Sequence, residues 1–285
     1  AAFPAVLSEP QLSPRATCSG NTADTRSEWC DYSIDTDYTS EAPDTGVIRE
    51  YWFELTETTA APDGVKRYVQ AINGSIPGPT IFADWGDTVI VHVTNAISSS
   101  TNGTSIHFHG IRQNYTNQED GVSSITQCPT PPGSSITYTW RAVQYGSTWY
   151  HSHWALQAWE GVFGGIIING PATSDYDEDL GMLFLNDWDH STVDELYIDA
   201  ESSGPPTLDT GLINGTNIWT DDSGNVTGYR FNVSLTEDSS YRLRLVNAAV
   251  DSHFKFMVDN HTLTVIATDL VPIEPFTTDI ISIGM

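Results

Sequence analysis

Five stretches of the chain, VIREYWFELTE, KRYVQAI, DTVIVHVTN, SSITYTWRAV and GGIIING, are runs of β-branched and aromatic residues. Such side chains suit a pleated, half-buried surface. Between them lie PDG, GSIPGP, NGT and TPPGS, whose Pro, Gly, Asn and Asp reverse the chain. No helical pattern intervenes. Strands at this spacing predict an all-β, antiparallel domain, a sandwich or barrel closed by Greek-key connections.

The segment NGPATSDYDED interrupts the series with Gly, Pro and a charge run, and a second series follows: GMLFLNDW, GLINGTNIW, YRFNVSL, YRLRLVNAA, HFKFMVD and LTVIATD. The exception is STVDELYIDA, where Ser191 or Thr192 can cap a short helix. The expected organisation is an irregular arm over 1–45, a β domain over 46–172 and a second over 173–285. A length of 285 residues accommodates two domains, or one large β domain. The closing TTDIISIGM stops within an apparent strand, so the second domain reads as incomplete.

Composition excludes some partners. With 11 Lys+Arg against 37 Asp+Glu, the formal charge is -26. Too few cations are available for nucleic acid or an anionic membrane. No apolar run reaches the roughly 18 residues of a membrane helix. The first residues, AAFPAVLSEPQLSPRAT, lack an initiator Met and a signal-like apolar core, and read as a start left by signal removal. Secretion is therefore expected, with glycans among Asn102, Asn114, Asn214, Asn225, Asn232 and Asn260. Asn73, beside a strand end and the PGP turn, is the least suited sequon. Of three cysteines, Cys18 and Cys30 are close enough for a local disulfide, which leaves Cys128 over.

The chemistry is concentrated in two short segments, TSIHFHG and TWYHSHWALQ. A strand alternates its side chains, so His107 and His109 share one face, as do His151 and His153. His92, His190, His253 and His261 read as structural histidines. Four imidazoles without a nearby carboxylate favour copper or zinc. A cupin barrel also uses His-x-His, but Glu119 and Glu160 fall too far along for its third ligand, and no final His follows at suitable distance.

The stretch from NGSIPGPTIFADWGDTVIVHVTN through NGTSIHFHG, EDGV, TQCP and YGSTWYHSHWALQ to GVFGGIIINGP resembles the first cupredoxin domain of multicopper oxidases. With TCSG, SEWCDYSIDTDY, LINGT and YRLRLVNAA, the chain is most similar to the laccases of ascomycete fungi. The resemblance implies tandem cupredoxin-like Greek-key sandwiches, the second incomplete at its C-terminus. By similarity His107 would ligate a type 2 copper, and His109, His151 and His153 a type 3 pair. Together these form half of a trinuclear site that reduces dioxygen to water. Asp120 matches an acid thought to assist proton delivery, and equally reads as a turn former before Gly121. Phe108 stands where Trp is more common.

In the second domain, Asp251 and Asp209 match positions of a carboxylate near the bound phenol, where it could accept the phenol's proton. Either reads equally as a solvated loop residue. Pro205 and Pro206 would shape the same pocket. No cysteine here is followed by His at the spacing of a type 1 copper site, which the family places in a third domain with the other four trinuclear ligands. The implied protein is the N-terminal portion of a secreted laccase-type oxidase acting on phenols or aromatic amines. This chain alone would be inactive, its remainder separate or lost and joined through Cys128 to a cysteine near the far C-terminus. Alternatives are a catalytically silent copper-binding fragment, a ferroxidase, an ascorbate oxidase or a bilirubin oxidase.

Overall fold

The computed structural model describes residues 18–99 and 103–284. The first 17 residues of the expected arm and the Asn102 sequon lie outside them. Cys18 and Cys30 form the expected disulfide, with Cα atoms 4.8 Å apart, and Cys128 is a free, exposed thiol.

Eight strands build a sandwich: β1 (Ile48–Ala60), β2 (Arg67–Ile72), β3 (Gly78–Asp84), β4 (Thr88–Asn95), β5 (Ile106–Phe108), β6 (Ser135–Arg141), β7 (Gly146–Ser152) and β8 (Phe163–Asn169). One sheet runs in the order β2-β1-β4-β6 and the other in the order β3-β8-β7-β5. The antiparallel expectation needs correction, because β1 pairs with β4 in parallel and so does β8 with β3. Parallel neighbours need crossover connections, which here pass between the two sheets instead of through a helix.

Alternation sets the core. In β4, Val89, Val91 and Val93 are fully buried, while His92 faces outward, stacked on Trp52 and bonded to Glu50 and Thr137. Val91 and Val93 meet Leu55, Ile81, Ile106, Tyr138 and Trp140 in a single cluster. By contrast β8 is buried along almost its whole length. Its second face is covered by later residues, Phe184 packing edge-on to Phe163 at 5.2 Å and Met182 lying over Gly165. A continuous apolar run, GGIII, is what such two-sided burial requires.

The later residues form smaller sheets around β9 (Glu178–Trp188), which is flanked by β10 (Thr210–Ile213) and β11 (Tyr241–Asn247). The helix α1 (Val193–Ser203) starts where expected: Thr192 accepts the Glu195 N–H, and the Glu195 side chain returns to the Thr192 backbone. A buried pair fixes this helix to the sandwich. Arg67 of β2 lies 2.7 Å from Glu160 and sits over the Trp188 ring at 3.8 Å. The other Glu160 oxygen accepts the Val193 and Asp194 N–H groups at the helix start.

Replacing fully buried Leu55 by Ala should cost about 2–5 kcal/mol in urea unfolding, whereas Ile48→Ala at the exposed start of the same strand should cost less than about 0.5 kcal/mol.

Candidate metal centre

β5 and β7 are antiparallel neighbours, and their register sets His107 directly opposite His151. Phe108 and Tyr150, also opposite each other, point the other way and are fully buried. These apolar neighbours hold both strands to the core and leave the imidazoles on the outer face. The His107 ring lies 5.6 Å from His109, 5.4 Å from His151 and 5.6 Å from His153, so it occupies the middle of the group. One ligand nitrogen each from His107, His109 and His151 falls within 4.8 Å of the others. His153 stands at the margin, exposed, its ring 6.2 Å from that of His151.

Hydrogen bonds define the tautomers. A carbonyl oxygen can only accept, so Nδ1–H of His107 donates to Asp120 O at 2.7 Å and Nδ1–H of His151 donates to Ser152 O at 2.9 Å. Both Nε2 lone pairs are left for a ligand. His109 Nδ1 is 3.3 Å from His151 Nε2. Two nitrogens each about 2 Å from one ion stand about this far apart at a near-tetrahedral angle. Trp149 covers this pair, its ring 4.3 Å from that of His151 and 5.8 Å from that of His109.

Although His109 is exposed, partial desolvation of its ring, reinforced by neighbouring imidazoles, lowers its pKa. At His151 burial dominates and lowers it to about 3. Neutral imidazole is the form that can ligate a metal.

The contact between Asp120 and His107 is made mainly by the backbone. The Asp120 carbonyl orients the ring, while its carboxylate stands farther off, 3.4 Å from His107 Nδ1. Gly121 makes this possible. Its φ is +76°, and a Cβ there would lie 1.8 Å from Ile106 O. No other residue lets the loop approach β5 so closely. Neither the carbonyl role nor the Trp149 contact has a signal in residue spacing.

The second-domain residues lie elsewhere. Pro205, Pro206 and Asp209 occupy the segment between α1 and β10, and Asp251 is exposed in the loop after β11. Asp209 accepts the His190 N–H at 3.0 Å and faces His190 Nδ1 at 3.0 Å, while His190 Nε2 meets buried Asp63 at 2.7 Å. His190 is therefore structural as expected, and it ties Asp209 to the sandwich. No hydrogen bond or ion pair among the described residues joins Asp209 or Asp251 to the imidazole group. Of the sequons, Asn114, Asn225, Asn232 and Asn260 are exposed. Asn73, also exposed, and half-buried Asn214 use both side-chain amide ends on backbone groups.

Two multicopper oxidase profiles match the chain, over residues 54–173 and 179–285. The chain belongs to the multicopper oxidase family. It is 52% identical to Laccase-2 of Botryotinia fuckeliana over 100% of this chain and 50% of that protein. It is 46% identical to the laccase of Cryphonectria parasitica over 96% of this chain and 47% of that protein. The crystal structure of the laccase from Botrytis aclada superposes with a TM-score of 0.89 at 51% identity, covering 93% of this chain and 50% of that one. Fet3p, a multicopper oxidase that functions in iron import, gives a TM-score of 0.73 at 32% identity, covering 83% of this chain and 43% of that one. The chain thus spans about half the length of the relatives it matches.

Membership of this family implies copper. The all-imidazole donor set, with its nitrogens converging, suits that metal.

The depressed His151 pKa has a defined consequence for the metal-free protein. The unfolded state takes up a proton near 6.5 and the folded state only near 3. Stability is therefore complete above about 6.5 and falls as pH drops toward 3, with a slope of up to about 1.4 kcal/mol per pH unit from this group. Urea midpoints at pH 7, 5.5 and 4.5 should fall in that order, and His151→Ala should flatten the trend.

Proposed function

We propose that this chain is the N-terminal part of a secreted laccase-type oxidase that removes single electrons from phenols or aromatic amines and delivers them to dioxygen. The observation that carries this reading is the cross-strand His107–His151 pair with His109 and His153 beside it. Likeness to laccases at 46–52% identity supports phenols over other reductants. When bound, copper supplies redox centres close enough together to pass four electrons to one dioxygen. Four phenols each lose one electron and one proton, and dioxygen takes up four of each to give two waters.

On this reading His107 ligates the type 2 copper, and His109, His151 and His153 the type 3 pair. The type 1 copper and the other four ligands come from the remainder of the protein, joined through exposed Cys128. The Asp120 carbonyl and Trp149 hold the ligand rings in place. The Asp120 carboxylate, 3.4 Å from His107 Nδ1, would relay protons toward the cluster. Asp251 and Asp209 would stand by the phenol, with Pro205 and Pro206 shaping that pocket. Of the two carboxylates, Asp251 is the better proton acceptor, since Asp209 is already engaged by His190.

In the full-length oxidase, His109→Ala or His153→Ala should lower the copper content measured by mass spectrometry and reduce oxygen uptake by at least about 10²-fold, with far-ultraviolet circular dichroism unchanged. Wild-type copper content and oxygen uptake in both variants would refute the ligand assignment. Ferrous iron turnover exceeding phenol turnover in the wild type would favour a ferroxidase, the reading suggested by Fet3p. Copper binding without oxygen uptake on any reductant would identify a silent copper-binding protein.

A further inference from the structure

β9 ends in Asn186, Asp187 and Trp188, and the Asp187 side chain is buried without a basic partner among the described residues. A buried carboxylate is costly unless it is fully hydrogen-bonded. Asp187 meets this requirement by accepting three consecutive backbone N–H groups. Oδ1 accepts from Val250 at 2.8 Å, and Oδ2 accepts from Asp251 at 3.1 Å and Ser252 at 2.8 Å. Asn247 grips the same loop from its other side: Oδ1 accepts the Ala249 N–H at 2.9 Å and Nδ2 donates to Ser252 O at 2.9 Å. Trp159, in the turn that follows His153, donates from Nε1 to Ala249 O at 2.9 Å. Every residue from 249 to 252 is thus bonded through its backbone to a side chain from outside the loop. The acid this framework presents to solvent is Asp251.

We propose that Asp187 is a positioning residue for the reducing substrate: its carboxylate fixes the 250–252 backbone and so sets where the Asp251 carboxylate stands to take the phenol's proton. This rests on the reading of Asp251 given above. Charge-assisted bonds to three amides on one short loop are directional, so losing one acceptor oxygen loosens the loop without emptying the core.

The test compares D187N, D251N and the double variant in the full-length oxidase, using 2,6-dimethoxyphenol as the phenol. D187N should raise KM about tenfold with a smaller change in kcat, and weaken the acid limb of the pH profile that D251N removes. It should also speed amide hydrogen exchange in peptides covering 249–252. The double variant should be no worse than D251N, because both changes act through one carboxylate. Wild-type exchange at 249–252 in D187N, or additive losses in the double variant, would overturn the positioning role. A silent D251N would instead sink the Asp251 reading, and the substrate role of Asp187 with it. Should D187N fail to fold, N247A releases the same loop from its second anchor; unchanged exchange and KM there would overturn the proposal equally.

Discussion

The register between β5 and β7 is the constraint on which the rest of the site depends. It sets His107 opposite His151, and Phe108 opposite Tyr150 on the reverse face. Slipping either strand by one residue would turn its imidazoles into the core and its aromatic ring into solvent. The Phe108 ring meets Tyr138 and Trp140, and Tyr150 meets Phe53, so the register is held by packing that has no part in ligation. The Tyr138 hydroxyl adds a polar lock: it accepts the Ile106 N–H and donates to Gln127. Burial pushes its pKa up to about 12, against the opposing effect of these two hydrogen bonds. Ligand geometry in this protein is thus a property of the hydrophobic core.

A second constraint joins the sandwich to the later sheets. The contact is polar as well as apolar. Arg67 and Glu160 are both almost wholly buried, and each has other partners: Arg67 the Trp188 face, and Glu160 the first turn of α1. A buried ion pair of this kind adds little net stability, but removing one partner leaves an uncompensated charge. Its effect is to specify one docking geometry. Asp63 with His190, and Trp159 with Ala249, act in the same sense. The turn from His153 to Glu160 therefore serves two purposes, since it closes the ligand strand and carries two of the three anchors.

Sequence reading recovers what is periodic or local. The strand runs other than YRFNVSL, the His-x-His pairs, the Thr192 cap and the Cys18–Cys30 bridge all depend on spacing and are present, whereas residues 229–235, exposed along almost their whole length, form no strand. Strand direction is not periodic: VIREYWFELTE and DTVIVHVTN look alike whether paired in parallel or antiparallel, and the parallel β1–β4 ladder could not be seen. Contacts made by backbone atoms are equally silent. Asp120 draws attention as a carboxylate, yet the bond that orients His107 comes from its carbonyl, and that bond depends on Gly121 lacking a Cβ. Asp187 is inconspicuous in LFLNDW for the same reason, since its partners are amides of residues 63 to 65 positions away.

The place of the imidazoles within their sheet bears on how a complete site can form. β5 is an edge strand of three residues, following the order β3-β8-β7-β5. Edge strands expose unpaired backbone and are normally kept short or covered. Here the edge strand carries His107, exposed His109 follows it directly, and exposed His153 follows the neighbouring strand. Two strands offer only two side-chain positions each on one face within ligand reach, so β5 and β7 cannot enclose several ions by themselves. The open side, where no strand of this sandwich lies beyond β5 among the described residues, leaves room for further donors. An edge location, three converging nitrogens and a marginal fourth leave one side of the group open, which is the arrangement the proposed oxidase would require.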